Sequence, residues 1–341
     1  MIPSSSNSPQ RTVKAVGLLS GGLDSSLAAK LMVDLGVEVH AVYFAQPWGC
    51  CDKQKAQAMA ERLGITFVPL QLDERYLDVI QNPRYGYGRA LNPCRDCRIH
   101  MFTRAAEYMR SIGGGFVFTG EVLGQRPMSQ MRDSMRIIER DSGLEGRLLR
   151  PLCAQLLEPT IPEKEGRIDR ERLLKISGRS RKDQLRLAEE FGITDFPAPA
   201  GGCLLTNEPF ANRMRDVFKY GYRNFRETIA LKWGRHFRVS AEFKIVVGRD
   251  EEENLALVRY AHPEDYVLEL ETHYGPVAIV KGENPSADIL TLAAGLIQRY
   301  SRYKETLGIV ANCWLLKDKN QVRKVQSLRL NEDTILQMSI A

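Results

Sequence analysis

Two sets of residues in this chain have the types and spacing to do chemistry. The first is Ser20-Gly21-Gly22-Leu23-Asp24-Ser25-Ser26, placed between an apolar run, Val13 to Leu19, and a helical pattern at Leu27, Ala28, Leu31, Met32 and Leu35. The spacing predicts a strand, a glycine turn and a helix start meeting at one point. Glycines allow close backbone approach, and the unpaired N–H groups and positive dipole end of the helix face the turn. Such a turn cradles phosphate. The same residues also fit a plain strand-to-helix turn capped by Asp24 or Ser25. The second set is cysteines. Cys94-Arg95-Asp96-Cys97 follows Asn92-Pro93, and three readings stay open: a redox pair at a helix start, half of a zinc site, or two ligands of an iron–sulfur cluster. Cys203, among the small residues Ala200-Gly201-Gly202, is the expected third ligand. Three thiolates on a four-iron cluster leave one iron open to hold sulfide, a nucleophile suited to an activated carbonyl.

Positioning these groups requires a scaffold. Residues 13–19 and 37–44 read as buried strands around the first helix, Cys51–Leu63 as a helix, Ile65–Leu70 as a strand, Met101–Ile112 as a helix and Gly115–Thr119 as a strand ending in Gly120-Glu121. Alternation of this kind predicts an α/β fold with a doubly wound, mostly parallel sheet. Ligands on such sheets sit at the carboxyl ends of strands near the switch point. Ser20, Tyr43-Phe44 and Gly120-Glu121 should therefore converge on one crevice. We expect a disordered tail over residues 1–10, a nucleotide-binding domain over 11–158 and a helical, basic extension over 159–237 that supplies Cys203. Its helices are predicted over Asp169–Ile176 and Lys182–Phe191, with a Pro-rich loop from Phe196 to Cys203. A smaller α+β domain over 238–341 follows, with strands near 242–248, 266–272 and 277–280 and a strong helix over Asp288–Tyr303.

Composition narrows the class. Hydrophobic residues at 43% and charged residues at 26% of 341 positions suit a soluble globular protein. No apolar stretch is long enough to span a membrane, and the polar first ten residues do not resemble a signal peptide. Seven cysteines without secretory context point to reduced thiols or ligands and to the cytoplasm. The net charge of +6 is uneven. Arg213, Arg215, Lys219, Arg223, Arg226, Lys232, Arg235 and Arg238 face only Asp216 and Glu227, with Phe218, Tyr220, Tyr222, Phe225, Trp233 and Phe237 between them. That mixture can track RNA phosphates and stack unpaired bases, or it can be a solvated helix whose aromatics pack inward. The five histidines lack metallohydrolase or deaminase spacing, and His100 reads as a helix-surface residue or a zinc ligand. Cys50-Cys51, Cys153 and Cys313 fit simple burial, with Cys153 or the Cys50-Cys51 pair the alternative persulfide carriers.

The pattern SGGxDS resembles the pyrophosphate-binding loop of the PP-loop ATP pyrophosphatases and lacks Walker A spacing. Together with Cys94-x-x-Cys97, Thr119-Gly120-Glu121-Val122-Leu123-Gly124-Gln125 and Gly202-Cys203 in that order, it resembles the tRNA sulfur transferases, the ATP-dependent thiouridine synthetases, over roughly residues 13–205. The resemblance implies ATP-Mg²⁺ on Ser20, Gly21, Gly22, Asp24, Ser25 and Ser26, with Asp24 positioning Mg²⁺ or pyrophosphate. Tyr43 or Phe44 would then flank adenine, and Gly120, Glu121 and Gln125 would line the nucleotide and uridine pocket. It also implies a [4Fe-4S] centre on Cys94, Cys97 and Cys203, with zinc the alternative metal. A uridine carbonyl oxygen would be adenylated and then replaced by sulfur from a cysteine desulfurase persulfide or free sulfide, in a monomer or a homodimer. The glycine loop begins at residue 20 and no rhodanese-like thiol carrier is evident, so RNA recognition is expected from the C-terminal third. There Val247-Gly248-Arg249, Gly275-Pro276-Val277 and the helix to Tyr303 resemble the NFACT-R RNA-binding domain. Two other readings remain: a PP-loop enzyme with a nitrogen nucleophile and structural zinc, and an RNA- or ribosome-binding factor with a nucleotide site.

Overall fold

A computed structural model describes residues 13–49, 51–198, 202–221 and 224–340. The tail, Cys50, the 199–201 stretch of the Pro-rich loop, Tyr222 and Arg223 lie outside the described residues. The chain divides into two compact units, Met1–Gly88 with Asn92–Cys203, and Arg89–Leu91 with Leu204–Ala341. The boundary therefore falls at Cys203, and the stretch 159–237 is shared between the units.

In the first unit the order is β1 (Lys14–Leu18), α1 (Leu23–Asp34), β2 (Glu38–Ala45), α2 (Lys53–Arg62), β3 (Thr66–Gln71), α3 (Arg75–Gln81), α4 (Cys94–Ser111), β4 (Phe116–Thr119), α5 (Arg132–Asp141), β5 (Leu148–Leu149), α6 (Ile161–Lys164) and α7 (Lys182–Glu190). The strands form one parallel sheet in the order β3-β2-β1-β4-β5. Helices cover both faces of such sheets, so the central strands read as apolar runs; every residue of β4 is buried. Leu27, Met32, Phe116, Phe118 and Leu149 belong to one core. The strand order reverses between β1 and β4, which pair Leu18 with Thr119. Ser20 and Gly120 thus follow neighbouring strand ends at the switch point, where such sheets bind ligands.

Two expectations change here. The helix expected over Asp169–Ile176 is only a 3₁₀ turn, Arg170–Arg172, with no buried residue. The Asp169 side chain accepts a hydrogen bond from Glu171 N (3.0 Å), a local bond that competes with helix. In contrast, α4 starts at Cys94 rather than Met101, so both cysteines of the pair lie in its first turn.

The second unit contains α8 (Glu208–Tyr220), α9 (Phe225–Ala230), β6 (Arg235–Arg238), β7 (Lys244–Val247), α10 (Glu251–Tyr260), β8 (Tyr266–Leu270), β9 (Ala278–Lys281), α11 (Ala287–Arg299), β10 (Val310–Leu315), β11 (Asp318–Gln326) and α12 (Glu332–Met338). Its antiparallel sheet has the order β11-β10-β8-β9-β7-β6. The apolar stripe of α11, Leu290, Ala293, Leu296 and Ile297, packs in one core with Ile245, Leu268 and Val280. The basic stretch is not one helix. Gly221, in the left-handed region (φ 86°), ends α8, and Asn224 caps α9 by accepting from Glu227 N (2.9 Å).

Candidate active site

The glycine loop keeps its helix terminus open. Gly22 is the N-cap of α1 and no side chain caps it, so neither Asp24 nor Ser25 does the capping that a plain turn would use. The two serine hydroxyls turn back instead: Ser25 Oγ donates to Gly22 O (2.8 Å) and Ser26 Oγ to the same carbonyl (3.1 Å). Ser20 Oγ lies 3.2 Å from Ser25 Oγ, and the Ser20 carbonyl accepts from Asp52 N (3.1 Å). Two glycines permit this packing. At Gly21, with φ +79°, an added Cβ would stand 2.6 Å from the Asp52 carbonyl oxygen. At Gly120 it would stand 2.4 Å from the Asp24 backbone carbon, so the end of β4 lies against the first turn of α1.

Asp24 is the charged centre of this crevice. Gln125 Nε2 donates to its Oδ2 (3.0 Å), while its buried Oδ1 has no hydrogen-bond partner among the described residues. Burial raises its pKa above the ordinary carboxylate value, opposed by the Gln125 bond and by the charges of Arg181 and Arg126. Arg181 arrives through a parallel bridge of Leu123 with Ser177, where Gly178 N donates to Leu123 O (2.7 Å). Neither Arg126 nor Arg181 has an acidic partner at ion-pair distance among the described residues. The crevice therefore combines open N–H groups, a carboxylate oxygen and two unneutralised cations, the donor set that a polyphosphate with a divalent ion requires. The reading of the sequence missed Arg126 and Arg181, because no local pattern marks a cation that folding brings to a distant loop.

Cys97 meets another residue the sequence did not flag, Tyr76. Its hydroxyl and Cys97 Sγ are 2.9 Å apart, and Gln46 Nε2 donates to both (2.9 and 3.2 Å). The Tyr76 ring stacks on Trp48 (6.1 Å, 9°), whose carbonyl accepts from Cys203 Sγ (3.5 Å). Burial above all, then the negative charge of Cys97, Cys203 and Cys94, holds the Tyr76 hydroxyl neutral. Burial likewise raises the Cys97 thiol, against the Tyr76 bond and the Arg98 charge. Arg98 is the cation of this site. Burial alone would depress it, but Glu121 and the thiols of Cys94, Cys97 and Cys51 keep it charged. Asp96 anchors the turn by accepting from Arg84 N (2.9 Å) and Tyr85 N (3.1 Å).

Of the three thiols, only Cys97 lies within hydrogen-bond reach of the Tyr76 hydroxyl (2.9 Å), and the charge of the buried Arg98 guanidinium acts on it. Among the described residues no three His, Cys, Asp or Glu side chains form a ready-made metal-ligating group.

Several expected roles change. Glu121 is 3% exposed and receives Arg150 Nε (3.1 Å), with Arg98 Nε at 3.6 Å. It ties the end of β4 to the cysteine helix, and its Oε1 has no hydrogen-bond partner among the described residues. Tyr43 and Phe44 are 5% and 6% exposed, and the Tyr43 hydroxyl donates to Cys51 O (3.3 Å). Tyr43 packs beside Phe67 in the core, so neither ring presents an open face for adenine. Cys153 is buried, donates to Glu121 O (3.4 Å) and has its pKa pushed up to about 11 by burial, which disfavours a persulfide carrier.

The basic stretch is largely engaged internally. Arg238 and Lys244 both bind Asp216 (2.7 and 2.9 Å). Arg226 donates to the carbonyls of Arg259, Tyr260 and Ala261, and Arg213 to that of Leu231. Arg235 stacks on Tyr300, Trp233 on Tyr260, and Phe237 is core. The inward-packing alternative describes most of this stretch.

With this geometry in hand, comparison with known proteins is direct. Residues 11–158 match the family described as thiamine biosynthesis protein (ThiI), and residues 234–337 match the NFACT protein RNA binding domain, NFACT-R_2. Neither match reaches half of the chain. Among curated relatives, "tRNA-specific 2-thiouridylase MnmA" of Mycobacteroides abscessus is 36% identical over 125 residues, 32% of this chain and 35% of that protein. The protein of the same name from Micrococcus luteus is 34% identical over 132 residues, 34% and 35% of the two. The chain thus spans about a third of the length of these relatives. Among solved structures, the U34-tRNA thiolase NcsA from Methanococcus maripaludis with its [4Fe-4S] cluster aligns with 15% identity over 64% of this chain and 70% of that one, at a TM-score of 0.32, too low to carry any argument. No helix among the described residues is long and apolar enough to cross a membrane.

Proposed function

We propose that this chain is an ATP-dependent tRNA thiolation enzyme, a tRNA sulfurtransferase that adenylates a uridine carbonyl oxygen and replaces that oxygen with sulfur. The observation that carries the reading is a phosphate loop left open at its helix terminus, in the same compact unit as Cys94, Cys97 and Cys203. The ThiI-type domain and the thiouridylase relatives support sulfur as the incoming atom, and the NFACT-R_2-type domain supports RNA as the substrate.

In the proposed reaction the carbonyl oxygen attacks the α-phosphorus, the α–β bridge breaks, and pyrophosphate leaves. A sulfur nucleophile then adds to the same carbon, the C–O bond breaks, and AMP departs. The N–H groups of the first turn of α1, with Arg126 and Arg181, hold the phosphates, and stabilising charge as it develops on the leaving group lowers the barrier. Asp24, kept in place by Gln125, presents its open Oδ1 to Mg²⁺. Gly120 keeps the end of β4 close to that turn. Cys94, Cys97 and Cys203 would hold a [4Fe-4S] centre, which supplies an iron with a free position for sulfide; zinc at the same thiols would be structural. Arg98 offsets the thiolate charge, and Gln46 and Tyr76 orient Cys97. The sulfur donor in this reading is free sulfide, or a desulfurase persulfide whose outer sulfur leaves as sulfide when a second thiolate attacks the inner sulfur and forms a disulfide with it, and the setting is the cytoplasm.

The test is mass spectrometry of nucleosides from tRNA incubated with ATP, sulfide and the anaerobically reconstituted protein. Thiouridine with tRNA-dependent pyrophosphate release is expected. Pyrophosphate release that answers to ammonia or an amine, with no thiouridine formed, would move the protein to the nitrogen-transfer class.

A further inference from the structure

Arg213, Arg226, Arg235 and Arg238 are engaged internally, which leaves RNA recognition by the second unit to another surface. In the β8–β9 connection His273 stacks on Tyr303, with ring centroids 4.0 Å apart and planes at 19°. Tyr274, next in sequence, is 100% exposed. A Cβ added to Gly275 would stand 3.6 Å from the Ser301 Cβ, so this loop runs against the segment after α11. That segment carries Arg302 and Lys304, both exposed, and neither has an acidic partner among the described residues. Lys304 also lines a polar cleft of about 300 Å³, in which Arg299 pairs with Glu332 and Arg329 with Glu305.

A fully exposed tyrosine beside a ring pair and two unneutralised cations has little structural purpose. Rings take bases on their faces, and cations take the phosphates between them. Duplex bases are already stacked, so only unpaired nucleotides can use such a ledge. We propose that Tyr274, the His273–Tyr303 pair, Arg302 and Lys304 form a binding ledge for unpaired nucleotides of the RNA substrate. The inference rests on the reading of RNA as substrate and adds the surface and the strandedness.

The test is fluorescence anisotropy of the full chain with a labelled unstructured oligoribonucleotide and, separately, an RNA duplex. Tyr274→Ala weakens single-strand binding about ten-fold and leaves duplex binding unchanged, while Tyr274→Phe retains affinity. Arg302→Ala and Lys304→Ala each lower the slope of log affinity against log salt by about 0.7. Wild-type affinity and slope in the Tyr274→Ala and Arg302→Ala/Lys304→Ala proteins would overturn the ledge while leaving RNA as substrate, as would an equal loss on duplex. A wild-type chain that binds neither RNA would remove the RNA reading itself. The fold is not at risk in Tyr274→Ala, since that side chain buries nothing.

Discussion

The glycine loop and the basic stretch from Arg213 to Arg238 are both rich in polar groups, yet they use them in opposite ways. Around the loop the helix terminus has no side-chain cap, Asp24 Oδ1 has no hydrogen-bond partner among the described residues, and Arg126 and Arg181 act on Asp24 by charge without an ion pair at contact distance among those residues. In the basic stretch Arg238, Lys244 and Asp216 close on one another in a buried cluster, and Arg226 is held by three carbonyls. Unsatisfied buried groups cost stability. At the crevice an unpartnered carboxylate oxygen stands in the first turn of a helix whose terminus no side chain caps, a combination that a ligand can complete. Charge count alone therefore misleads about binding, and what matters is which charges remain unneutralised.

The contrast breaks most sharply at Gly120. Gly120→Ala drives a methyl into the backbone of Asp24 and Ser25, and displacement of the loop on that scale should lower ATP–pyrophosphate exchange by about a hundred-fold or more. Exchange within a few-fold of wild type would mean that this contact does not shape the nucleotide site. Asp24→Asn should also slow exchange by about a hundred-fold, but with a thermal shift in the opposite direction from most lesions. Burial raises the Asp24 pKa above 3.8, so ionisation opposes folding. That cost is absent below the unfolded value and complete above the folded one. The asparagine variant should therefore melt higher than wild type at neutral pH, and a lower melting point would contradict the idea of an open carboxylate.

Asp216 sharpens the other side. Despite burial, Arg238 and Lys244 hold its pKa below 3.8. Its stabilisation is present above the unfolded value and lost as pH falls through the folded one. Asp216→Asn leaves two buried cations uncompensated and should destabilise the second unit by about 3–5 kcal/mol in a denaturant titration, with pyrophosphate exchange by the first unit retained. The smallest effect is expected at Cys153→Ala, about 1 kcal/mol of stability with thiouridine formation intact; loss of thiolation there would restore the persulfide role.

The first unit was legible where chemistry and structure are local. The run Val13–Leu19 gave β1 and the alternating Val37–Phe44 gave β2, because a strand buried on both faces must be apolar throughout. The SGGxDS turn located the loop because glycine spacing and the start of α1 are adjacent in sequence. Tyr76, Gln46 and Arg98 were not legible, since nothing in their own neighbourhoods distinguishes them from packing residues; only α3, β2 and α4 together bring them to Cys97. The ion pair of Glu121 with Arg150 was not legible for the same reason, Arg150 lying beyond α5. In the basic stretch the composition was read correctly but the acids that neutralise it were not. Asp216 is one residue among eight cations in sequence, yet in the fold it holds Arg238 of that set and the buried Lys244 beyond it.

The central claim is that one unit adenylates through the loop and delivers sulfur through the cysteines. Cys203→Ala tests it most directly, assayed in parallel for ATP–pyrophosphate exchange and for thiouridine in tRNA. The account predicts exchange close to wild type and no thiouridine. Thiouridine at the wild-type level in that protein would contradict it.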